Sequence, residues 1–175
     1  MYIIYIVGWK NSGKTTLVEN LIPKLKAAGA TVSTVKHTHH LIDLEKPGKD
    51  SFRHREAGAK EVAIVSSARW ALLNENQDEE ESQLERIFER MLPVDIVLVE
   101  GFKSEVHDKI EVRRQDTGGD VIALGDTSVV AVASDCDVKG VSVPRFDLND
   151  FDAIVRFILD YAGLRNQDED GGREE

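Results

Sequence analysis

The chain has 175 residues, 32 acidic against 22 basic, and a formal net charge of −10. That length suits one domain whose core buries roughly 68–70% of the unfolded surface, and the acidic balance opposes nonspecific attraction to nucleic acid or to an anionic membrane. A lone cysteine, Cys136, excludes an intrachain disulfide, and no apolar run approaches the roughly 18 residues of a membrane span, so a cytoplasmic protein is expected.

Residues 2–7, YIIYIV, read as a strand apolar on both faces, as a covered parallel sheet requires. GWKNSGKTT follows at once. Gly8, four residues, then Gly13-Lys14-Thr15 is the spacing of a phosphate-binding loop, and helix composition from Thr15 to Ala28, with a stop at Gly29, completes its strand–loop–helix context. Gly8 and Gly13 let successive amides close around an anion. Lys14 puts a cation on the β and γ phosphates, and Thr15 offers a hydroxyl to Mg²⁺.

Thr31 to Val35 read as the next strand, ending in Lys36-His37-Thr38-His39-His40. That cluster could hold a metal, face an anionic ligand through Lys36 and His37, or be solvated, and imidazoles without cysteine do not make a closed zinc site. A long segment broken at Pro47-Gly48 leads to a short helix from about Ser51 to Ala57. Asp50 is either a second Mg²⁺ contact or water-positioning group, or an N-cap that it or Ser51 would supply. Glu61 to Val65 and Trp70 to Leu73 form a hairpin pattern, an extension of about 61–73, and an acidic loop separates it from helical spacing over Gln83 to Leu92.

Asp95 to Val99 read as a second buried strand leading into Glu100-Gly101-Phe102-Lys103. Glu100 lies at the strand end that shares an edge with Gly8, where a carboxylate holds Mg²⁺ or its waters; Asp95, at the other end, reads as a cap or surface group. Ile110 to Val112 and Val121 to Leu124 are weaker strands, and Val129 to Ala133 is a firm one ending at Ser134-Asp135. Asp135 could accept from both guanine donors or merely shape a turn, and the Asn-Lys-x-Asp pattern of guanine readers is absent. A last helix is expected over about Leu148 to Ala162, and residues 166–175 read as an acidic, disordered tail. Alternating strands and helices predict a single α/β domain over 1–165, three-layered around a mostly parallel sheet, with ligands at the carboxyl ends of its strands.

GWKNSGKTTL, VKHTHH, PGKDSFRHREAGA and VLVEGFK, in this order and spacing, resemble the molybdopterin-guanine dinucleotide biosynthesis adapter family, MobB, over about residues 1–115. The resemblance implies a P-loop NTPase fold and a GTP-binding homodimer with weak Mg²⁺-dependent GTPase activity. It also implies an accessory role to the guanylyltransferase MobA, which joins GMP to molybdopterin, with GTP or the pterin presented to that enzyme. On this resemblance Gly8, Asn11, Ser12, Gly13, Lys14, Thr15 and Thr16 bind phosphates and metal, and Lys14, Asp50 and Glu100 are the candidate catalytic residues. The hairpin, with Val65, Trp70 and Leu72, offers a dimer edge. Two other classes share the loop: a small-molecule kinase using the Arg53 and Arg55 region as a lid, and a GTPase metallochaperone using His37 to His40.

Overall fold

The computed structural model describes residues 1–38, 46–74 and 83–164, so the expectations for His39, His40, the acidic loop beyond Asn74 and the tail lie outside the described residues. Described residues within Met1–His37 and Pro93–Glu175 form one compact unit, and those within Thr38–Leu92 a second.

The first unit is built on β1 (Tyr2–Val7), α1 (Lys14–Ala27), β2 (Val32–Lys36), β3 (Ile96–Glu100), β4 (Lys109–Arg113), β5 (Val129–Ser134), β6 (Arg145–Asp147) and α2 (Phe151–Tyr161). The strands make one six-stranded sheet in the order β2-β3-β1-β4-β5-β6, and every pairing is parallel. β1 is central. Its register sets Ile6 beside Glu100 on one side and Val7 beside Glu111 on the other, so all the loops that follow these strands leave from one edge.

Alternate residues of the strands face the same way. Ile4, Ile6, Ile96, Leu98, Ile110, Val112, Ala131 and Ala133 pack against Leu17, Leu21 and Leu25 of α1 and against Ile154, Val155 and Ile158 of α2. The opposite face carries two buried charges, and both are answered. Lys109 donates to Asp126 and to the Lys103 carbonyl, while Glu111 accepts from the Ile122 and Ala123 amides. On that face Val129, Val132 and Val138 pack with Val121, Ile122 and Val143.

Val121 to Leu124 is not the expected strand: Ile122–Leu124 is a 3₁₀ turn. β5 already has β4 and β6 on its two edges, leaving no ladder for another strand there, and the Glu111 carboxylate takes the amides that the turn frees. The edge strand β6 is three residues long, too short a run to carry a period legible in the sequence. The last helix starts later than expected, at Phe151, because Asp150 caps it by accepting from the Ala153 amide at 3.0 Å.

In the second unit α3 (Asp50–Glu56) precedes an antiparallel hairpin of β7 (Glu61–Val65) and β8 (Trp70–Asn74), with Val65 opposite Trp70, and α4 (Gln83–Arg90) follows. Lys49 occupies the N-cap position of α3 without a side-chain bond, so neither Asp50 nor Ser51 is the cap; Asp50 is the first helical residue. Arg90 of α4 pairs with Glu61 of β7 at 2.6 Å.

Asp95 precedes β3 and accepts from the Thr31 amide at 2.7 Å and its hydroxyl at 2.6 Å, pinning the start of β2 to that of β3. Those bonds, the hydroxyl first, hold its carboxyl below the ordinary value of 3.8. A depressed folded value contributes stability above the unfolded pKa and loses it as pH falls through the folded one. Asp95→Ala should therefore melt below the wild type at neutral pH, and the gap should close as thermal scans move below about pH 4. A gap independent of pH would leave Asp95 without this role.

Candidate functional site

The sheet edge collects the end of β2 (Lys36, His37), the end of β3 (Glu100 to Lys103), the loop after β1, the end of β4 (Arg113, Arg114) and the end of β5 (Asp135). All belong to the first unit. Asp50, with Arg53 and Arg55, belongs to the second, where Arg55 lies over the Phe52 ring at 5.0 Å.

The loop after β1 closes tightly on itself. Gly8 has φ +152°, and a Cβ there would sit 2.3 Å from the Val112 carbonyl and 2.6 Å from Ser12 Oγ, so only glycine lets the chain leave β1 past β4. Asn11 adopts φ +66°, a left-handed conformation that asparagine tolerates, and Gly13 follows at +96° to start α1. The Ser12 amide donates to the Trp9 carbonyl at 3.2 Å, and the first backbone bond of α1 runs from the Leu17 amide to the Gly13 carbonyl, so the Lys14, Thr15 and Thr16 amides precede the helical ladder. Ser12 is 1% exposed, and its Oγ has no hydrogen-bond partner among the described residues. A buried hydroxyl without a partner costs stability unless a ligand engages it.

Lys14 Nζ donates to the Gly8 and Trp9 carbonyls, each at 2.9 Å. Burial lowers its pKa most; Glu100 opposes that, and Lys103 and Lys36 add to it. Thr15 Oγ1 donates to Glu100 Oε1 at 2.8 Å, and Lys36 Nζ lies 3.6 Å from the same oxygen. The loop and the end of β3 are thus joined by a hydroxyl–carboxylate pair with oxygens of the hard type that Mg²⁺ accepts.

Beyond Glu100 the chain turns through Gly101 at φ +108° and Phe102 at +53°. The second is uncommon for an aromatic residue and marks stored strain beside the site. The Phe102 ring stacks on His37 with centroids 4.0 Å apart. This places His37 against the turn of β3, an aromatic partner the sequence alone did not disclose. Asp135 is exposed, and its Oδ1 accepts from the Gln115 amide at 2.8 Å, which ties the loops after β4 and β5 together. Each carboxylate oxygen carries two lone pairs, so Asp135 keeps the capacity to accept from a base. Among the described residues no group of three or more His, Cys, Asp or Glu could hold a metal ion.

Trp9 was not singled out by its residue type, yet it locks three loops. Its Nε1 donates to the Asp120 carbonyl at 2.8 Å, the Gly119 backbone lies against its ring, and the Lys103 ammonium sits 3.7 Å from the ring centroid. A Cβ on Gly119 would fall 2.5 Å from that ring. Gly119→Ala, in a Trp70→Phe background, should therefore displace the indole, red-shift Trp9 emission and cost about 1–3 kcal/mol as overpacking does. Emission and melting unchanged from the background protein would show the indole free of this contact.

The family model for molybdopterin guanine dinucleotide synthesis protein B matches residues 3–135. The molybdopterin-guanine dinucleotide biosynthesis adapter protein of Escherichia coli is 40% identical over 167 residues, covering 94% of this chain and 95% of that one. The adapter protein of the same name from Haemophilus influenzae is 39% identical over 157 residues, covering 89% and 86%. A crystal structure of Bacillus subtilis MobB, 25% identical, superimposes with a TM-score of 0.72 over 91% of this chain and 97% of its own.

Proposed function

Since the chain belongs to the molybdopterin guanine dinucleotide synthesis protein B family and is an adapter protein of molybdopterin guanine dinucleotide biosynthesis, we propose that it fills this role by binding GTP with Mg²⁺ at the loop after β1. The observation that carries the nucleotide reading is the conjunction of the unpartnered Ser12 Oγ, the tight turn from Gly8 to Gly13 into the N-terminus of α1 and the Thr15–Glu100 pair within one sheet edge. The residues present fit the ligand. Amides, Asn11, Ser12, Lys14 and Thr16 would hold the phosphates; Thr15 and Glu100 would hold Mg²⁺ or its waters, and the metal would supply charge neutralisation to the phosphates.

The chain's own groups then have separable tasks. Lys14 leaves its carbonyl acceptors for phosphate oxygens, an exchange favoured because an anion satisfies a partly buried ammonium better than two neutral carbonyls do. Glu100, bonded to Thr15 and paired with Lys36, orients the metal side of the site. Committed to the metal or its waters, it would not be free to act as a general base, which accords with an adapter rather than a turnover enzyme. Asp50, in the second unit, stays a candidate metal or water contact on the sequence reading alone. Asp135 reads guanine, and Lys36 and His37 face the anionic end of the ligand or the pterin.

The partner is the guanylyltransferase MobA in the cytoplasm, and no described helix is long and apolar enough to cross a membrane. A homodimer forms through the hairpin. Val65 is 75% and Trp70 67% exposed, opposite one another on a two-stranded sheet, and an isolated pair of strands gains stability by adding strands.

Calorimetric titrations with GTP and ATP, each with Mg²⁺, test the nucleotide reading. Wild type should bind GTP in preference, Lys14→Ala should lose about 10–150-fold, as expected for a charge-assisted bond, and Asp135→Ala should narrow the GTP-over-ATP ratio by about 1–3 kcal/mol. Equal binding of both nucleotides by wild type would contradict guanine selection, and phosphate appearing on an added metabolite would move the assignment to a kinase. In sedimentation the wild type should be a dimer and Trp70→Asp should shift to monomer; a monomeric wild type would remove the hairpin interface.

A further inference from the structure

Arg114 stands at the end of β4, on the side of β1 opposite Glu100. A Cβ built on Gly13 would lie 3.1 Å from Arg114 Nε and 3.3 Å from one of its terminal nitrogens, so the guanidinium rests directly on the phosphate-binding loop. Its neighbour Arg113 is consumed by the Asp120 and Gly119 carbonyls and by Glu111. The half-buried Arg114 side chain, by contrast, has no hydrogen-bond or ion-pair partner among the described residues.

Its backbone is held firmly. The Arg114 amide donates to Thr117 Oγ1 at 3.2 Å, and its carbonyl accepts from the Thr117 hydroxyl at 2.8 Å and amide at 3.1 Å. The next residue is fixed to Asp135 through the Gln115 amide. Beside it opens a groove of about 460 Å³, lined by Arg114, Gln115, Val121, Cys136, Val138 and Lys139, a volume within the range of small-molecule sites.

We propose that Arg114 is a binding residue for the α- and β-phosphates, placed where the polyphosphate leaves the loop for a nucleoside lying in this groove. The inference rests on the nucleotide reading above and adds a residue to it. Thr15 and Glu100 mark the metal side, reached from β3, so a cation arriving from β4 meets the phosphates nearer the sugar. A planar fork with a pinned backbone contacts two phosphate oxygens at once, which a flexible ammonium does not reproduce. It also predicts that this contribution is shared by the diphosphate and the triphosphate.

Titrations of GTP and GDP with Mg²⁺ into wild type, Arg114→Ala, Arg114→Lys and Lys14→Ala test it, with melting curves to verify folding. Arg114→Ala should weaken GDP and GTP by the same factor, about 10-fold or more, and Arg114→Lys should recover only part of it. Unchanged affinity for both in Arg114→Ala, with Lys14→Ala impaired, overturns the role of Arg114 and leaves the loop assignment standing. Loss confined to GTP overturns the α/β placement. A wild type that binds neither nucleotide overturns the nucleotide reading itself, and this proposal with it.

Discussion

Everything at this site depends on β1 being paired in parallel on both sides. A strand with neighbours on each edge satisfies its amides and carbonyls internally, and a strand covered on both faces must be apolar throughout, which Tyr2 to Val7 is. Parallel pairing then fixes direction. The carboxyl ends of β3, β1 and β4 emerge side by side, and the residues at those ends, Glu100, Gly8 and Arg113, are gathered on one edge without any further device. A one-residue slip of β3 against β1 would turn Glu100 from the loop to the other face of the sheet. Register is therefore a functional constraint as much as a structural one, and at the opposite end of β3 the Asp95 carbonyl, accepting from the Tyr2 amide at 2.7 Å, helps to hold it.

Charge is distributed against the trend of the whole chain. The molecule carries a net −10, yet Lys14, Lys36, Lys103 and Arg114 gather along one edge with Glu100 among them. Like charges in proximity repel one another and cost stability, so such a cluster is a poor way to strengthen a fold. It is a good way to receive a polyphosphate. The buried pairs on the other face, Lys109 with Asp126 and Glu111 with the 3₁₀ amides, show the contrast: there each charge is already answered by the protein.

The sequence disclosed what depends on neighbours along the chain. The phosphate-binding loop, the two apolar strands beside it and the position of Glu100 follow from short patterns whose chemistry is local, and the ordered blocks carried the family as well. The hairpin was legible because two β-rich runs flank a turn. Tertiary placement was not. Val121 to Leu124 looks like a strand, and only the occupied edges of β5 explain why it is a turn. Trp9 reads as an ordinary loop residue until Asp120, Gly119 and Lys103 are seen around it, and Arg114 as an ordinary surface arginine until Gly13 lies beneath it. Contacts between residues so far apart in the chain leave no periodic signal, whereas the special backbone at Gly8 and Gly13 does, through the residue type itself.

The most direct test of the account is a crystal structure with Mg²⁺ and a non-hydrolysable GTP analogue. It should show the β-phosphate within the amides following Gly8, Ser12 Oγ donating to a phosphate oxygen, and a metal ion between Thr15 and the phosphates, with Glu100 turned from Thr15 to the metal or its waters. An analogue bound elsewhere, with Ser12 still unpartnered and Thr15 still bonded to Glu100, would contradict it.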